Sequence, residues 1–261
     1  MIDAAVHLWS ADAKPERTGL AGDPDTLFRD LATAGVSRAV VIQSSSYGDD
    51  HRYLLEQVGA SAGRLAAVGL LRARGADAAG IAARLLDAGC AGLRVIVGDD
   101  PGWPASDAAA AVWDLAEHRG APVGLLAAPA ALDAVAALAE ARPALPLVLD
   151  HLGLVSPAAL DAARVPLARL ARAPRAFIKV SALRAVSEQD PPYPGIRPLL
   201  TEVRDLFGYD RMIYGTDWPY AAEADPYRAT IDALDAVYDW SPAERDRVVE
   251  SNAAGLWWRS G

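Results

Sequence analysis

The sequence predicts one α/β domain folded as a (β/α)8 barrel, or TIM barrel. Short apolar, β-rich runs alternate with longer alanine-rich runs, a pattern typical of βα units in a parallel sheet. Eight strand candidates occur at fairly regular spacing, and a length of 261 residues lies within the usual range for one such barrel. We therefore treat residues 1–261 as a single domain.

The predicted elements follow one another along the whole chain. The strand candidates are residues 2–9, 39–45, 65–71, 92–97, 123–127, 147–152, 177–183 and 212–217. The helix candidates include residues 25–34, 78–88, 107–118, 130–141, 157–171 and 196–206. A Ser-Pro-Ala-Glu capping box at 241–244 opens a final helix, which we expect to run to about Ala254 and to cover part of the barrel.

Composition excludes several classes of function. The net charge of −9 argues against a nucleic-acid surface, and no apolar stretch is long enough to cross a bilayer. A single cysteine, Cys90, excludes an internal disulfide and a cysteine-cluster metal site. Because Met1 opens directly onto a strand-like run, we expect no signal peptide. The expectation is a cytoplasmic monomer or homodimer that acts on a small molecule.

Polar residues interrupt the strands near their C-terminal ends. Barrel strands are buried on both faces and should read as hydrophobic runs, so each buried polar group needs a partner or a function. These groups fall at the ends of six strands and are His7, Gln43 with Ser44 to Gly48, Arg94, Asp150 with His151, Lys179 with Ser181, and Thr216 with Asp217. This face is where such barrels place their active sites.

A structural role is the alternative for each of these residues taken singly. Lys179 could be a partner of Asp150, and Asp217 could cap the segment that follows it. Arg94 could bridge two loops or pair with an internal carboxylate, such as Asp3 or Asp150. Together these readings require six coincidences at one end of the barrel, which favours a functional site.

The order of the motifs resembles the amidohydrolase superfamily, specifically the amidohydrolase-2 branch that contains 2-pyrone-4,6-dicarboxylate lactonase and sugar lactonases. The matching segments are residues 2–9, 43–50, 92–94, 149–153, 178–181, the Tyr-Gly-Thr-Asp-Trp-Pro run at 214–219, and Asn-Ala at 252–253. They cover nearly the whole chain. The resemblance implies a hydrolase with a TIM-barrel fold.

One departure from the family pattern concerns metal. The family's first strand usually carries His-x-His, whereas this chain has Ala5 before His7. The fifth strand also lacks the histidine or lysine ligand of metal-dependent members. His51 and His118 are placed at a helix start and a helix end and are poor substitutes. We therefore predict no cofactor; the alternative is one divalent metal, zinc or manganese.

The predicted reaction is metal-independent opening of a lactone or a similar activated cyclic ester. Asp217 is the predicted general base, with a pKa raised by desolvation, and His7 and His151 are predicted to polarise the carbonyl. Cations at the mouth predict a small anionic substrate. The predicted substrate-binding residues are Arg94, Lys179, Ser181, Ser45, Tyr47, Arg184 and Tyr193.

Two other classes of function stay open. The first is a decarboxylase or other lyase, which the family also contains and which normally needs the missing metal site. The second is a degenerate member that binds a ligand without turnover, a reading that Ala5 supports. Retention of Asp217, His151, Lys179 and Arg94 speaks against the second reading.

Overall fold

The computed structural model describes residues 1–13, 22–98, 100–187, 189–221 and 226–258. In this part of the chain eight parallel strands form one sheet in chain order. The strands are β1 (Ile2–Val6), β2 (Arg38–Ile42), β3 (Leu65–Leu70), β4 (Gly92–Val97), β5 (Val123–Ala127), β6 (Leu147–Leu149), β7 (Ala176–Val180) and β8 (Met212–Tyr214). The predicted TIM barrel is confirmed.

Helices connect the strands and follow the last one. They are α1 (Pro24–Ala34), α2 (Arg52–Ala60), α3 (Ala78–Asp87), α4 (Asp107–Arg119), α5 (Leu132–Ala141), α6 (Leu160–Arg172), α7 (Leu183–Val186), α8 (Arg197–Phe207), α9 (Ala229–Val237), α10 (Pro242–Asp246) and α11 (Asn252–Trp257). None of the helices described is long and apolar enough to span a membrane.

Strand residues alternate between two hydrophobic clusters. Ala39 and Val41 of β2 pack with helix residues such as Leu27 in the larger cluster. Val40 and Ile42, one position along, belong to a smaller cluster with residues from other strands. This period of two is the pattern of a strand that faces the barrel interior on one side and the helices on the other.

The last described helices, after β8, pack on the barrel, as predicted. Ser241 caps α10 in a complete capping box with Glu244, and a π-helical stretch over Arg247–Ser251 leads into α11. Trp257 of α11 joins the smaller hydrophobic cluster together with Ile2, at the start of β1. The last helix therefore covers the N-terminal ends of the strands, opposite to the polar residues.

Several strands end earlier than predicted, because the backbone turns where the polar residues begin. His151, Ala182 and Asp217 follow β6, β7 and β8 with φ values of 53°, 51° and 72°. Side chains other than glycine rarely adopt this left-handed region, and such residues concentrate at functional sites. A residue in this conformation cannot continue a β-ladder. Its side chain therefore no longer follows the alternation of the strand before it.

The seam between β1 and β8 is closed by the buried Asp3 carboxylate. Its Oδ1 accepts hydrogen bonds from the backbone N–H of Ala5 at 3.0 Å and of Thr216 at 2.9 Å. Its Oδ2 accepts from the Thr216 hydroxyl and the Tyr227 hydroxyl, each at 2.5 Å. Beyond it, Asp217 N–H donates to the Ala5 carbonyl and His7 N–H donates to the Trp218 carbonyl, both at 2.8 Å.

Replacing Asp3 by alanine is expected to destabilise the barrel strongly. The change removes the acceptor for four buried donors, and each unpaired buried group costs about 1–3 kcal/mol. The midpoint of urea unfolding of Asp3→Ala should fall accordingly. Asp161→Ala is the control, because that carboxylate is 93% exposed and should leave the midpoint nearly unchanged. Equal midpoints for the two variants would contradict the role given to Asp3.

Candidate active site

A pocket of about 290 Å³ lies at the C-terminal end of the barrel. Its wall combines residues from the ends of most strands. The lining residues are His7, Gln43, Ser45, Leu70, Arg94, Ile96, Leu126, His151, Leu154, Ala182, Ala185, Asp217 and Tyr220. The three predicted catalytic residues and two of the predicted substrate-binding residues therefore share one pocket.

Two histidines converge on the Asp217 carboxylate. His7 Nε2 lies 3.3 Å from Asp217 Oδ1, and His151 Nε2 lies 3.5 Å from the same oxygen. Both histidine side chains are 6% exposed, whereas the Asp217 side chain is 18% exposed. The carboxylate is thus the accessible member of the group and can meet a water or a substrate.

His7 is oriented by the end of the neighbouring strand. Its Nδ1 lies 3.0 Å from the carbonyl oxygen of Ile42, which can only accept, so Nδ1 carries a proton. The ring packs edge-on against Tyr220, with centroids 5.3 Å apart. Because Nδ1 is committed to Ile42, Nε2 points into the pocket and can donate to Asp217 when the ring carries both protons.

His151 is held in its neutral form. Burial lowers the pKa of His151 to about 4, although Asp217 and Asp150 act in the opposite direction. Its Nδ1 lies 2.8 Å from Ser181 Oγ, and its Nε2 lies 3.4 Å from Arg94 Nη2. Since a guanidinium only donates, Nε2 is the acceptor here and Nδ1 donates to Ser181. His151 thus presents a lone pair, not a proton, towards Arg94.

The pKa of Asp217 differs from the expectation that desolvation raises it. Burial acts in that direction and is the largest contribution, but the neighbouring His151, His7 and Arg94 outweigh it and lower the pKa below its ordinary value. Asp217 is therefore ionised at neutral pH. Its effectiveness as a general base therefore has to come from its position next to the reacting water, because its pKa is not raised.

A second carboxylate, Asp150, forms ion pairs with the two cations Lys179 and Arg94 in the barrel interior. It is fully buried and lies 2.8 Å from Lys179 Nζ through Oδ1 and 3.0 Å from Arg94 Nε through Oδ2. Burial alone would raise the pKa of Asp150, but Lys179, Arg94 and His151 hold it well below its usual range. Arg94 therefore has two contacts: Nε is fixed by Asp150, and Nη2 faces the pocket beside His151.

The structure corrects the placement expected for several predicted substrate-binding residues. Arg94 and Ser45 line the pocket, but Lys179 lies beneath it on Asp150, because the buried carboxylate attracts the ammonium group. Ser181 is fully buried and reaches the pocket only through His151. Pairing with Asp150, given as the structural alternative for both cations, is observed for Lys179 and for Arg94.

Three further predicted residues lie outside the pocket lining. Tyr47 stacks on Tyr53, and its hydroxyl accepts from Ser10 N–H at 2.8 Å. Arg184 lies 2.7 Å from the exposed Asp190. Tyr193 is 2% exposed in the hydrophobic core. Their loops follow β2 and β7, and turns in those loops direct these side chains elsewhere.

Sequence reasoning assigned no site role to several residues of the pocket, although it named Gln43 as a polar residue at a strand end. Tyr220 follows the Trp-Pro pair after β8 and packs on His7, and Gln43 lies at the end of β2 with its Nε2 donating to the Asp50 carbonyl at 2.8 Å. Gln43 had a usable signal, a polar residue at a strand end. Ile96, Leu70 and Leu126 had none, because apolar residues are expected in strands wherever they point.

A family model described as amidohydrolase matches residues 2–258 of the chain. The chain belongs to the amidohydrolase family. This confirms the predicted family and, with it, an enzyme of the hydrolase class. L-fucono-1,5-lactonase of Burkholderia ambifaria is 32% identical over 243 residues, covering 84% of this chain and 80% of that protein. 4-Sulfomuconolactone hydrolase of Hydrogenophaga intermedia is 31% identical over 134 residues, covering 48% of this chain and 44% of that protein.

Solved structures of this family share the fold. An amidohydrolase of Burkholderia multivorans with bound HEPES superposes with a TM-score of 0.86 at 24% identity, over 98% of both chains. A second structure of an amidohydrolase of Burkholderia multivorans, with bound zinc, gives a TM-score of 0.83, also at 24% identity and over 98% of both chains. At this level of identity the likeness concerns the fold.

The donors in the pocket form a poor set for a divalent metal. Among the described residues no group of three or more His, Cys, Asp or Glu is placed to hold a metal ion. His151 Nε2, which would be a ligand, instead faces the Arg94 guanidinium at 3.4 Å. Ala5 occupies the position of the family's first histidine and is completely buried in the barrel. A cation already lies on the side of His151 where a metal would have to bind.

Asp150→Asn is expected to lower the free energy of unfolding by about 3–5 kcal/mol at neutral pH, because it leaves Lys179 and Arg94 without their buried counter-charge. The folded-state pKa of Asp150 lies well below the ordinary value for an aspartate of about 3.9, so its contribution is complete above that pH and is lost progressively as the pH falls below it. The difference between wild type and variant in urea unfolding should therefore narrow below about pH 4.

Asp133→Asn serves as the control for this experiment. Asp133 lies 2.8 Å from Arg169 but is 76% exposed, so its loss should change stability by less than about 1 kcal/mol. An Asp150→Asn variant as stable as this control, or a difference that persists unchanged in acid, would show that the buried cations do not depend on Asp150.

Proposed function

We propose that this protein hydrolyses a lactone, or a similar activated cyclic ester, of a small anionic substrate without a metal ion. The observation that carries the proposal is one accessible carboxylate, Asp217, contacted by two histidines in a pocket that also contains the Arg94 guanidinium. The relatives named L-fucono-1,5-lactonase and 4-sulfomuconolactone hydrolase support lactones as the substrate class. A pocket of about 290 Å³ suits a single small ring.

Asp217 is the general base of the proposed reaction. It takes a proton from a water molecule as the water oxygen adds to the lactone carbonyl. The tetrahedral intermediate then collapses, the bond between the carbonyl carbon and the ring oxygen breaks, and the proton on Asp217 passes to the departing ring oxygen. The product is the open hydroxy acid, and Asp217 is again ionised, as its lowered pKa requires at neutral pH.

The carbonyl oxygen is polarised by donors at the edge of the same pocket. His7 Nε2 is directed there by the Nδ1 contact to Ile42, and it donates to the carbonyl oxygen in the form in which the ring carries both protons. His151 can donate from Nε2 only in the tautomer in which Ser181 Oγ donates to Nδ1, and the serine hydroxyl serves in either direction. We propose that the substrate carbonyl takes the place of Arg94 at Nε2 and selects this tautomer. Each such donor is worth about 2.7–4 kcal/mol in the transition state.

Arg94 gives the pocket its preference for an anion. Its Nε is held by Asp150, so the outward Nη2 is positioned without loss of further side-chain freedom on binding. A guanidinium binds carboxylates in a fixed fork geometry. Lys179 affects anion binding indirectly. It shares the Asp150 carboxylate with Arg94, so part of the positive charge of Arg94 is left uncompensated.

A panel of lactones tests the function directly. It contains L-fucono-1,5-lactone as a neutral sugar lactone and 4-sulfomuconolactone as an anionic one, each followed by acid release at constant pH. Ring opening of either lactone supports a lactonase. Release of carbon dioxide from an aromatic carboxylate would favour the lyase alternative instead. Tight binding without turnover of any member would favour a degenerate protein.

Asp217→Asn is expected to lower kcat at least about 100-fold, since asparagine keeps the shape of the side chain but cannot take a proton. The thermal midpoint should change little. Asp50→Asn is the control, because Asp50 forms an exposed pair with Arg52 outside the pocket. A variant that melts lower while keeping its activity per folded molecule would make Asp217 a structural residue.

The pH dependence of wild type follows from the same assignment. The pKa of His151 is lowered to about 4 and that of Asp217 lies below its ordinary value. These two groups should therefore cause no loss of kcat/KM between neutral pH and about pH 5, and a fall should begin towards pH 4 as His151 takes up a second proton. A fall centred near neutral pH would contradict both assignments.

Chelator is expected to leave turnover unchanged, and added zinc or manganese should not raise it. The reason is the Arg94 guanidinium beside His151 Nε2 together with alanine at position 5. Elemental analysis of the purified protein, with kcat/KM measured before and after dialysis against EDTA, checks this. One tightly held ion per chain, with activity lost on its removal, would overturn the metal-free mechanism.

A further inference from the structure

A second pocket continues the active-site cleft beyond the ends of β3 and β4. It has a volume of about 290 Å³ and is lined by Leu70, Leu71, Arg72, Arg74, Ile96 and Asp100. Leu70 and Ile96 also line the active-site pocket, so the two spaces adjoin across these two side chains. A ligand that fills the first pocket can extend into the second over an apolar step.

Ile96 is an unusual residue for a barrel strand. It lies in β4 between Val95 and Val97, which are 0% and 1% exposed, yet Ile96 itself is 39% exposed. A large aliphatic side chain left open between two pockets is a natural contact for the apolar part of a ligand.

The charged residues of the second pocket differ in their contacts. Arg74 donates to the carbonyl oxygens of Leu71, Ala73 and Ile96 at 2.9, 3.1 and 3.0 Å, and its guanidinium lies 4.5 Å from the Trp103 ring centre. Asp100 accepts from Trp103 N–H at 3.1 Å. Both side chains thus support the wall of the pocket.

Arg72 is the cation that remains. It is exposed and forms no hydrogen bond or ion pair with any other residue in the described part of the chain. Its guanidinium lies close to Gly48, since a Cβ at position 48 would come 3.4 Å from Nη1. Gly48 ends the turn that also contains Ser45 of the active-site pocket. Arg72 therefore stands between the β2 turn and the second pocket.

We infer that this second pocket is an outer subsite of the cleft, which binds a carboxylate or sulfonate on the distal end of the substrate through Arg72. The apolar part of the substrate lies over Ile96, and its reacting end lies at Asp217. This inference rests on the proposed function and makes it more specific, because it predicts a substrate with an acidic group remote from the lactone carbonyl.

The test compares wild type with Arg72→Gln. Arg84→Gln is the matched control, because it removes the same charge from an exposed position on α3, outside both pockets. With 4-sulfomuconolactone, Arg72→Gln should raise KM about tenfold with little change in kcat, which is the effect of losing one charge-assisted hydrogen-bonded contact. With L-fucono-1,5-lactone, KM should not change. Arg84→Gln should match wild type on both.

A binding measurement keeps this inference separate from the proposed reaction. Calorimetry with the dicarboxylates from malonate to adipate, and with butyrate as the monocarboxylate, requires no turnover. At least one dicarboxylate should bind wild type about tenfold more tightly than butyrate, and Arg72→Gln should lose that advantage. Equal binding by wild type and Arg72→Gln overturns the subsite even where lactones are hydrolysed. Absence of lactone turnover by wild type overturns the proposed function, whatever the dicarboxylates show.

Discussion

The Asp3 carboxylate at the junction of the first and last strands is the constraint on which the rest of the site depends. It is completely buried and is satisfied by four donors from Ala5, Thr216 and Tyr227. Burial raises the pKa of Asp3 while these hydrogen bonds oppose that shift. Four donors around one carboxylate hold β8 against β1 at a point where the regular ladder between them is replaced by a single bridge from Val6 to Trp218.

The position of the active-site residues follows from that junction. Asp217 is the neighbour of Thr216, and His7 follows two residues after Ala5, so both stand within a few bonds of the groups that Asp3 holds. The 3.3 Å contact between His7 and Asp217 is therefore set by backbone geometry as much as by the attraction of the two side chains. Asp217 itself has a left-handed φ of 72°, and its N–H donates to the Ala5 carbonyl at 2.8 Å.

Two carboxylates, Asp150 and Asp217, have different electrostatic roles in the barrel, and Arg94 lies close to both. Asp150 is closed off from solvent and neutralises Lys179, while Asp217 remains accessible at the pocket. Arg94 contacts Asp150 through one nitrogen and lies beside His151 through another. Its presence helps to keep His151 neutral and Asp217 ionised. The pair of Asp150 and Arg94 thus contributes to the protonation states of both His151 and Asp217.

The barrel could be predicted from sequence because the alternation of a strand-like run and a helix-like run is repeated along the chain. The polar residues at the strand ends could be recognised because a buried strand is expected to contain apolar residues only. The ends of β6 and β8 could not, since the left-handed conformations of His151 and Asp217 depend on contacts from other strands. The same limit applies to side chains. Lys179 and Arg94 look alike in a strand pattern, but only the position of Asp150 in space shows that one is enclosed and the other reaches the pocket. Tyr193 reads as a loop residue but lies in the core.

Alanine at position 5, where the family usually has a histidine, fits the packing around it. A Cβ on Gly215 would lie 2.9 Å from the Ala5 side chain and 3.2 Å from that of Ser181, so β1, β7 and β8 approach closely at this level. The space is filled by small residues, and the positive charge in the pocket is supplied by Arg94. In the proposed reaction His7 and His151 stabilise the developing oxyanion, and such donors do so less strongly than a bound divalent ion. On the proposed chemistry, such a site suits an ester whose leaving oxygen is already tethered in a strained ring, and it disfavours an amide, whose nitrogen must be protonated before it leaves.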